Sequence, residues 1–229
     1  MKRKALVFVL AALVCVAIAG GGRAVAGESG RGVLQRGVAA QEVVDVVNFT
    51  AEPLFVVGET RITGAGGLLG KKSNWVADGE VPDFVTMLIG TNDINHKKRD
   101  IKDKGKSSEK AVSEIYESWK KLVDAVAARW PDAKIVCGTI LDRDFYGEGP
   151  IGHELAVAVN DLIRADCKAG RLPKNFVLVD LYEKCPLAEE GVFFKDKLHP
   201  NWKGHMLMAE AFFDAIRSSP GNAASDLKK

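Results

Sequence analysis

The stretch "DFVTMLIGTND", residues 83 to 93, joins a continuous apolar run to a polar end. Apolar residues without alternation are typical of a strand that is covered on both faces, as in a parallel sheet. The Gly-x-Asn-Asp that follows predicts a loop at the carboxyl end of that strand. An Asn on such a loop can aim its side-chain amide at a developing oxyanion, so Asn92 is a candidate for chemistry as well as for a simple turn.

Four further apolar runs occur, at residues 43 to 48, 54 to 58, 134 to 141 and 175 to 181. Apolar periodicity predicts helices over residues 107 to 130, 151 to 170 and 202 to 219. Because strands alternate with helices, we expect a doubly wound α/β domain whose sites lie at the carboxyl ends of the strands.

The first helical pattern has one apolar stripe, made of Ala111, Ile115, Trp119, Leu122, Val123 and Val126. Ser107 or Ser108 is a plausible N-cap for it. The second pattern stops at Gly170, a favourable residue for a helix end. Both patterns predict helices that pack one face against a core.

The chain begins with the pattern of a secretory signal peptide. Residues 1 to 26 contain a basic start, "MKRK", and an apolar run that is short for a membrane span. Small residues allow cleavage after Ala19 or Ala26, and the alternative is an uncleaved N-terminal anchor. We therefore expect an exported protein, periplasmic or secreted, which touches a membrane only through this segment if it stays uncleaved. Residues 27 to 219 are expected to form the domain, and 220 to 229 a disordered tail.

Composition argues against a nucleic-acid binder. The formal net charge is +2, and removing the four basic residues of the leader leaves 28 basic and 30 acidic residues, a net of −2. A dedicated nucleic-acid binder would show a basic surplus. The lysine-rich residues 96 to 110 are mixed in sign and are predicted to form a solvated loop.

No metal or cofactor is expected. The four histidines are scattered and no Cys-x-x-Cys occurs. Cys137 lies in an apolar run and is predicted to be a small buried hydrophobe. Cys167 and Cys185 could pair in an oxidising compartment, although the sequence does not show their geometry.

The stretch "DKLHPNWKG", residues 196 to 204, precedes the last helix. Asp196 and His199 are three residues apart, close enough for a carboxylate to orient an imidazole and stabilise its cationic form. Pro200 restricts the chain behind them. The alternative is a helix-entry loop whose Asp and His only cap and solvate.

Together, the Gly-x-Asn-Asp, the Asp-x-x-His-Pro with a Gly four residues further on, and the final helix resemble the SGNH, or GDSL-type, hydrolase family. The resemblance implies a three-layer α/β/α sandwich with a mainly parallel, about five-stranded sheet of flavodoxin-like type. It also implies hydrolysis of small-molecule or glycan esters through a serine. Asn92 would be the oxyanion donor, His199 the general base and acid, and Asp196 the carboxylate that orients the imidazole.

The family's nucleophile motif, Gly-Asp-Ser after the first strand, has two candidates here. "GES", residues 27 to 29, keeps the serine, whereas "GETRITG", residues 58 to 64, has Thr60 in its place. Two strand-plus-helix units fit between Gly27 and Gly90 but only one fits after Gly58, which favours Ser29. Ser29, however, is preceded by the leader and not by a predicted strand, and Thr60 has a strand before it. A member with no working nucleophile is the third possibility.

The second family motif, a glycine that donates its amide to the oxyanion, is also altered. "KKSNW", residues 71 to 75, resembles the Ser-Gly-Trp of some carbohydrate esterases, with Asn74 in place of the glycine. Two functions therefore compete. The first is an exported esterase that removes small acyl groups, in particular acetyl, from a carbohydrate or cell-wall glycan. The second is an inactive domain that only binds a glycan or other ligand.

Overall fold

The computed structural model describes residues 3–8, 51–57, 81–143, 149–186 and 191–219. Five strands form one sheet: β1 (Arg3–Phe8), β2 (Ala51–Val57), β3 (Phe84–Met87), β4 (Lys134–Gly138) and β5 (Phe176–Val179). All neighbouring pairs are parallel, and their order is β2-β1-β3-β4-β5. The predicted parallel sheet is confirmed, and its order is that of flavodoxin-like folds.

Five helices lie among the described residues: α1 (Thr91–Lys104), α2 (Ser108–Arg129), α3 (Ile151–Lys168), α4 (Leu181–Lys184) and α5 (Trp202–Ser218). None of them is long and apolar enough to cross a membrane. The three predicted helices correspond to α2, α3 and α5. Ser107 caps α2 by accepting a hydrogen bond from the backbone N–H of Lys110, and Gly170 follows α3 with a φ of +66°.

Alternate residues of the strands face two separate cores, which places helices on both sides of the sheet. On β3, Val85 and Met87 pack with α2 and α3, whereas Phe84 faces the opposite core, which contains Met208 and Ile216 of α5. Side chains of a strand point alternately to its two faces, so a continuous apolar run is what two covered faces require. The predicted three-layer α/β/α sandwich is confirmed.

The predicted apolar stripe of α2 is correct at every position: Ala111, Ile115, Trp119, Leu122, Val123 and Val126 are all buried. Cys137 is also buried, as predicted, and burial raises the pKa of its thiol to about 12. Cys167 and Cys185 both carry free thiols, so the disulfide that the sequence allowed is not formed in this structure.

The solvated loop predicted for residues 96 to 110 is wrong, because most of this stretch belongs to α1. Asp100 is buried and accepts hydrogen bonds from Lys104, one turn later at 2.8 Å, and from Lys106 at 2.6 Å. These two bonds hold the pKa of Asp100 well below its ordinary value. Opposite charges spaced by four residues stabilise a helix, so the mixed-sign pattern was compatible with one.

The first strand has a direct bearing on the predicted leader. β1 lies between β2 and β3 in the sheet and pairs with both. Cleavage after Ala19 or Ala26 would therefore remove an inner strand. The strand run predicted at residues 43 to 48 and the polar tail at 220 to 229 lie outside the described residues.

Candidate active site

Asp196 and His199 are brought into direct contact in the loop that precedes α5. Nδ1 of His199 lies 2.6 Å from Oδ2 of Asp196. The other carboxylate oxygen, Oδ1, accepts the backbone N–H groups of Leu198 and His199, each at 3.0 Å. Three donors on one carboxylate fix its rotamer, so the imidazole is held by an anchored partner.

The electrostatics of this pair favour an ionised Asp196. Partial burial raises the pKa of the Asp196 carboxyl, but hydrogen bonds from the backbone and the imidazole of His199 and from the backbone of Leu198 lower it more. The net pKa of Asp196 is below its ordinary value. An ionised carboxylate at Nδ1 favours the tautomer that carries a proton there, which leaves Nε2 as the basic nitrogen.

The backbone of the loop explains how the pair is formed. Phe193 and Pro200 make an antiparallel bridge, and the N–H of Phe194 donates to the carbonyl of His199 at 2.9 Å. The turn between them contains Lys197, whose φ of +52° lies in the left-handed region. This tight turn lets the Asp196 side chain reach the backbone N–H groups of Leu198 and His199.

The end of the loop is fixed to α5 through Asn201. Its Oδ1 caps the helix by accepting the N–H groups of Lys203 at 2.9 Å and Gly204 at 3.2 Å, and its Nδ2 donates to the carbonyl of Gly191 at 2.6 Å. His199 is thus two residues from a rigid helix start, which restricts the position of the imidazole.

Asn92 lies at the carboxyl end of β3, but in the first turn of α1 and not in the predicted loop. Gly90 is the N-cap, with a φ of +119°, and a β-carbon there would stand 2.6 Å from Cδ1 of Ile140. Both facts require glycine at this position. Oδ1 of Asn92 accepts a hydrogen bond from Nδ2 of Asn95 at 3.4 Å.

Both candidate nucleophiles, Ser29 and Thr60, lie outside the described residues, as do Asn74 and the residues around it. The strand that precedes Thr60 is β2, which is the second in the chain and lies at the edge of the sheet. Ser29 lies between β1 and β2 in the sequence.

A second Asp–His pair was missed by sequence reasoning. Nδ1 of His153, in the first turn of α3, lies 2.6 Å from Oδ1 of Asp142, in the segment after β4. The ring of Tyr182 lies beside that of His153, with centroids 6.4 Å apart. Asp142 and His153 are eleven positions apart, so no short sequence motif indicates this pair. In the described part of the chain, no cluster of His, Cys, Asp and Glu side chains is suited to hold a metal ion.

Comparison with solved structures supports the architecture. The chain is similar to a lipase/acylhydrolase from Enterococcus faecalis, at 17% identity and a TM-score of 0.59, over 96% of this chain and all of the other. A lipolytic G-D-S-L family protein from Veillonella parvula gives 16% identity and a TM-score of 0.58, over 95% and 100% of the two chains. An acetylxylan esterase, Axe2, from Geobacillus stearothermophilus gives 21% and 0.56, over 96% and 98%.

Comparison with curated proteins gives no match. The model of one family, described as the GDSL-like Lipase/Acylhydrolase family, matches residues 17–207, which is well over half of the chain. This match agrees with the resemblance that the Gly-x-Asn-Asp and Asp-x-x-His-Pro motifs indicated. The chain therefore belongs to the GDSL-like lipase/acylhydrolase family, whose enzymes act on ester bonds.

Proposed function

We propose that this protein is an exported esterase that removes small acyl groups, in particular acetyl, from a carbohydrate or cell-wall glycan. The observation that carries the catalytic part is the contact between Asp196 and His199, in which the carboxylate is also held by two backbone N–H groups. An imidazole fixed in this way can take a proton from a hydroxyl nucleophile and return it to the leaving group.

We propose Ser29 as the nucleophile, with Thr60 as the alternative. Spacing in the sequence supports this choice, because two strand-plus-helix units fit between Gly27 and Gly90 and only one fits after Gly58. Thr60 comes after β2, an edge strand that β1 separates from β3, whose end carries Asn92.

In the proposed reaction, His199 Nε2 removes the hydroxyl proton while the oxygen attacks the ester carbonyl. The C–O bond forms, the carbonyl becomes a tetrahedral oxyanion, and the side-chain N–H of Asn92 donates to it. The imidazolium then protonates the leaving alcohol as its C–O bond breaks, which leaves an acyl-enzyme. Water, deprotonated by His199, then attacks the acyl-enzyme carbonyl. The bond between the acyl carbon and the enzyme oxygen breaks, that oxygen takes the proton back from the imidazolium, and the acid is released. Asp196 stabilises the imidazolium in both halves.

The substrate class rests on two supports. One protein of similar fold is named an acetylxylan esterase, that is, an enzyme that acts on acetyl esters of xylan. Phe194, whose N–H donates to the carbonyl of His199, is 58% exposed, and Trp202 at the start of α5 is 51% exposed. Exposed aromatic side chains in the loop that carries the base and at the helix start after it offer apolar surface to a ring-shaped alcohol. The exported location rests on the sequence of residues 1 to 26 alone. Residues 3–8 of that segment form β1 in the structure, so a removable leader and an inner strand are competing roles for it.

The test is hydrolysis of an aryl acetate by the full chain and by His199→Ala, with His153→Ala as the matched control. The control removes an imidazole with the same contact to an aspartate, 2.6 Å in both cases. We expect His199→Ala to lower kcat about 10³-fold or more and His153→Ala to change it little. Equal activity in His199→Ala and the unchanged chain overturns the proposal.

The nucleophile is tested by Ser29→Ala and Thr60→Ala in the same assay. We expect loss of activity and of the acyl-enzyme mass only in Ser29→Ala. If the unchanged chain hydrolyses no ester and forms no acyl-enzyme, the protein is instead a binding domain that has kept the fold.

A further inference from the structure

Arg143 is a buried cation in the segment that follows β4. Its side chain is only 1% exposed, and burying a guanidinium is costly unless its donors are used. Nη1 donates to the carbonyl of Thr91 at 2.9 Å, and Nη2 donates to Oδ1 of Asn95. Both acceptors belong to the start of α1, so the planar guanidinium of Arg143 is hydrogen-bonded to the helix that carries Asn92.

The segment before Arg143 is itself held firmly. The side chain of Asn160, fully buried on α3, accepts the N–H of Ile140 at 2.9 Å and donates to its carbonyl at 2.8 Å. Gly152 leaves room for the guanidinium, because a β-carbon there would stand 3.2 Å from Nε of Arg143. The guanidinium therefore approaches α1 from a fixed support.

A guanidinium can only donate, and this decides how the Asn95 amide is oriented. Its oxygen must face Arg143, so its nitrogen faces the other way, where it donates to Oδ1 of Asn92 at 3.4 Å. The oxygen of the Asn92 amide is thereby occupied. Its Nδ2 is the end left to donate to an anion.

We propose that Arg143 is a positioning residue, which acts through Asn95 to keep the donor end of the Asn92 amide directed at the oxyanion. This inference rests on the proposed function, in which Asn92 is the oxyanion donor. An amide turned by 180° would present its oxygen to the developing negative charge, which is repulsive. Arg143 thus selects one of two nearly isosteric orientations of Asn92.

The sharpest variant is Asn95→Asp. The carboxylate still accepts from Arg143, and it adds an opposite charge, but it has no N–H to donate to Asn92. The Asn92 amide then gains by turning its nitrogen towards the carboxylate. We expect kcat on an aryl acetate to fall about 100-fold, with KM changed less than about twofold and Tm not lowered. A merely structural Arg143–Asn95 contact predicts unchanged kcat.

A second measurement does not depend on hydrolysis. The side-chain amide resonance of Asn92, assigned by its loss in Asn92→Asp, should shift in Asn95→Asp and in Arg143→Lys, since a lysine lacks the planar two-nitrogen fork that fixes both acceptors. His96→Ala is the matched control, because His96 is exposed on the same helix, and it should leave the resonance and kcat unchanged.

The outcomes separate the two proposals. An Asn92 resonance that does not move in Asn95→Asp overturns the positioning role, whatever the activity. A resonance that moves without a fall in kcat also overturns it, provided that Asn92→Ala is inactive. If Asn92→Ala keeps full activity, the oxyanion role in the proposed function has failed, and the resonance alone then shows whether Arg143 orients that amide.

Discussion

Gly204 of α5 lies directly against Val192: a β-carbon at position 204 would stand 2.5 Å from the carbonyl oxygen of Val192 and 2.8 Å from Cβ of Pro200. The helix that follows the Asp196–His199 loop is therefore packed on that loop at a distance that only glycine permits. This is a physical reason for the Gly that follows the Asp-x-x-His-Pro motif by four residues.

Gly204→Ala is expected to destabilise the protein by about 1 kcal/mol. Overpacking costs about 1–3 kcal/mol, and the gain in helix propensity offsets at most about 1 kcal/mol of it, less in a first turn. Urea unfolding measures the difference. Glu210→Ala, on the exposed side of the same helix, should stay within about 0.5 kcal/mol of the unchanged chain. A Gly204→Ala protein as stable as that control contradicts the packing.

His205, one turn into α5, should make stability depend on pH. Burial lowers its pKa, and a hydrogen bond to the backbone of Pro200 opposes this only in part, so the folded pKa lies below the ordinary 6.5. The unfolded chain then binds the proton more readily, and stability is lost as pH falls below 6.5. We expect the free energy of unfolding, measured in urea, to fall less for His205→Gln than for the unchanged chain when the pH is lowered from about 8 to about 5. Identical pH slopes would exclude this role.

The sequence predicted most reliably the elements with a periodic apolar pattern. The stripe of α2 from Ala111 to Val126 was correct because burial there follows the helical period. α1 was missed because Lys98 and Asp100, which the sequence suggested were solvated, are buried. Asp100 is paired with Lys104 within the helix and with Lys106 beyond its end. Charge alone does not distinguish a solvated face from one paired at helical spacing.

For the candidate site, the distance along the chain decided what could be predicted. Asp196 and His199 are three residues apart, so their contact follows from a short motif. Arg143 and Asn95 are 48 positions apart and meet only because β3 and β4 are neighbours in the sheet. Such contacts depend on the fold, and a single sequence does not reveal them.

Truncation tests the place of β1. A chain that begins at Gly27 lacks the strand between β2 and β3, so we expect it to lose several kcal/mol of stability or its cooperative unfolding. Circular dichroism melts of the full and shortened chains measure this. Removal of residues 220 to 229, the predicted tail, is the matched control and should leave Tm unchanged. A shortened chain with the same Tm as the full one shows that β1 is not needed for the folded domain.

Asp196→Asn isolates the orienting carboxylate from the base. Asparagine can keep one oxygen on the backbone N–H groups of Leu198 and His199, so the loop should stay folded. In that orientation its Nδ2 faces Nδ1 of His199 and donates to it, which favours the tautomer with the proton on Nε2 and so removes the base.

We expect kcat to fall about 10²- to 10⁴-fold in Asp196→Asn, with little change in Tm. Asp142→Asn is the matched control, since Asp142 makes the same contact to His153, and it should keep most of the activity. Aryl acetate kinetics and thermal melts on the four proteins, including the unchanged chain and His199→Ala, complete the comparison. If Asp142→Asn is the inactive variant and Asp196→Asn is not, the base of this enzyme is His153, and the proposed site is on the wrong Asp–His pair.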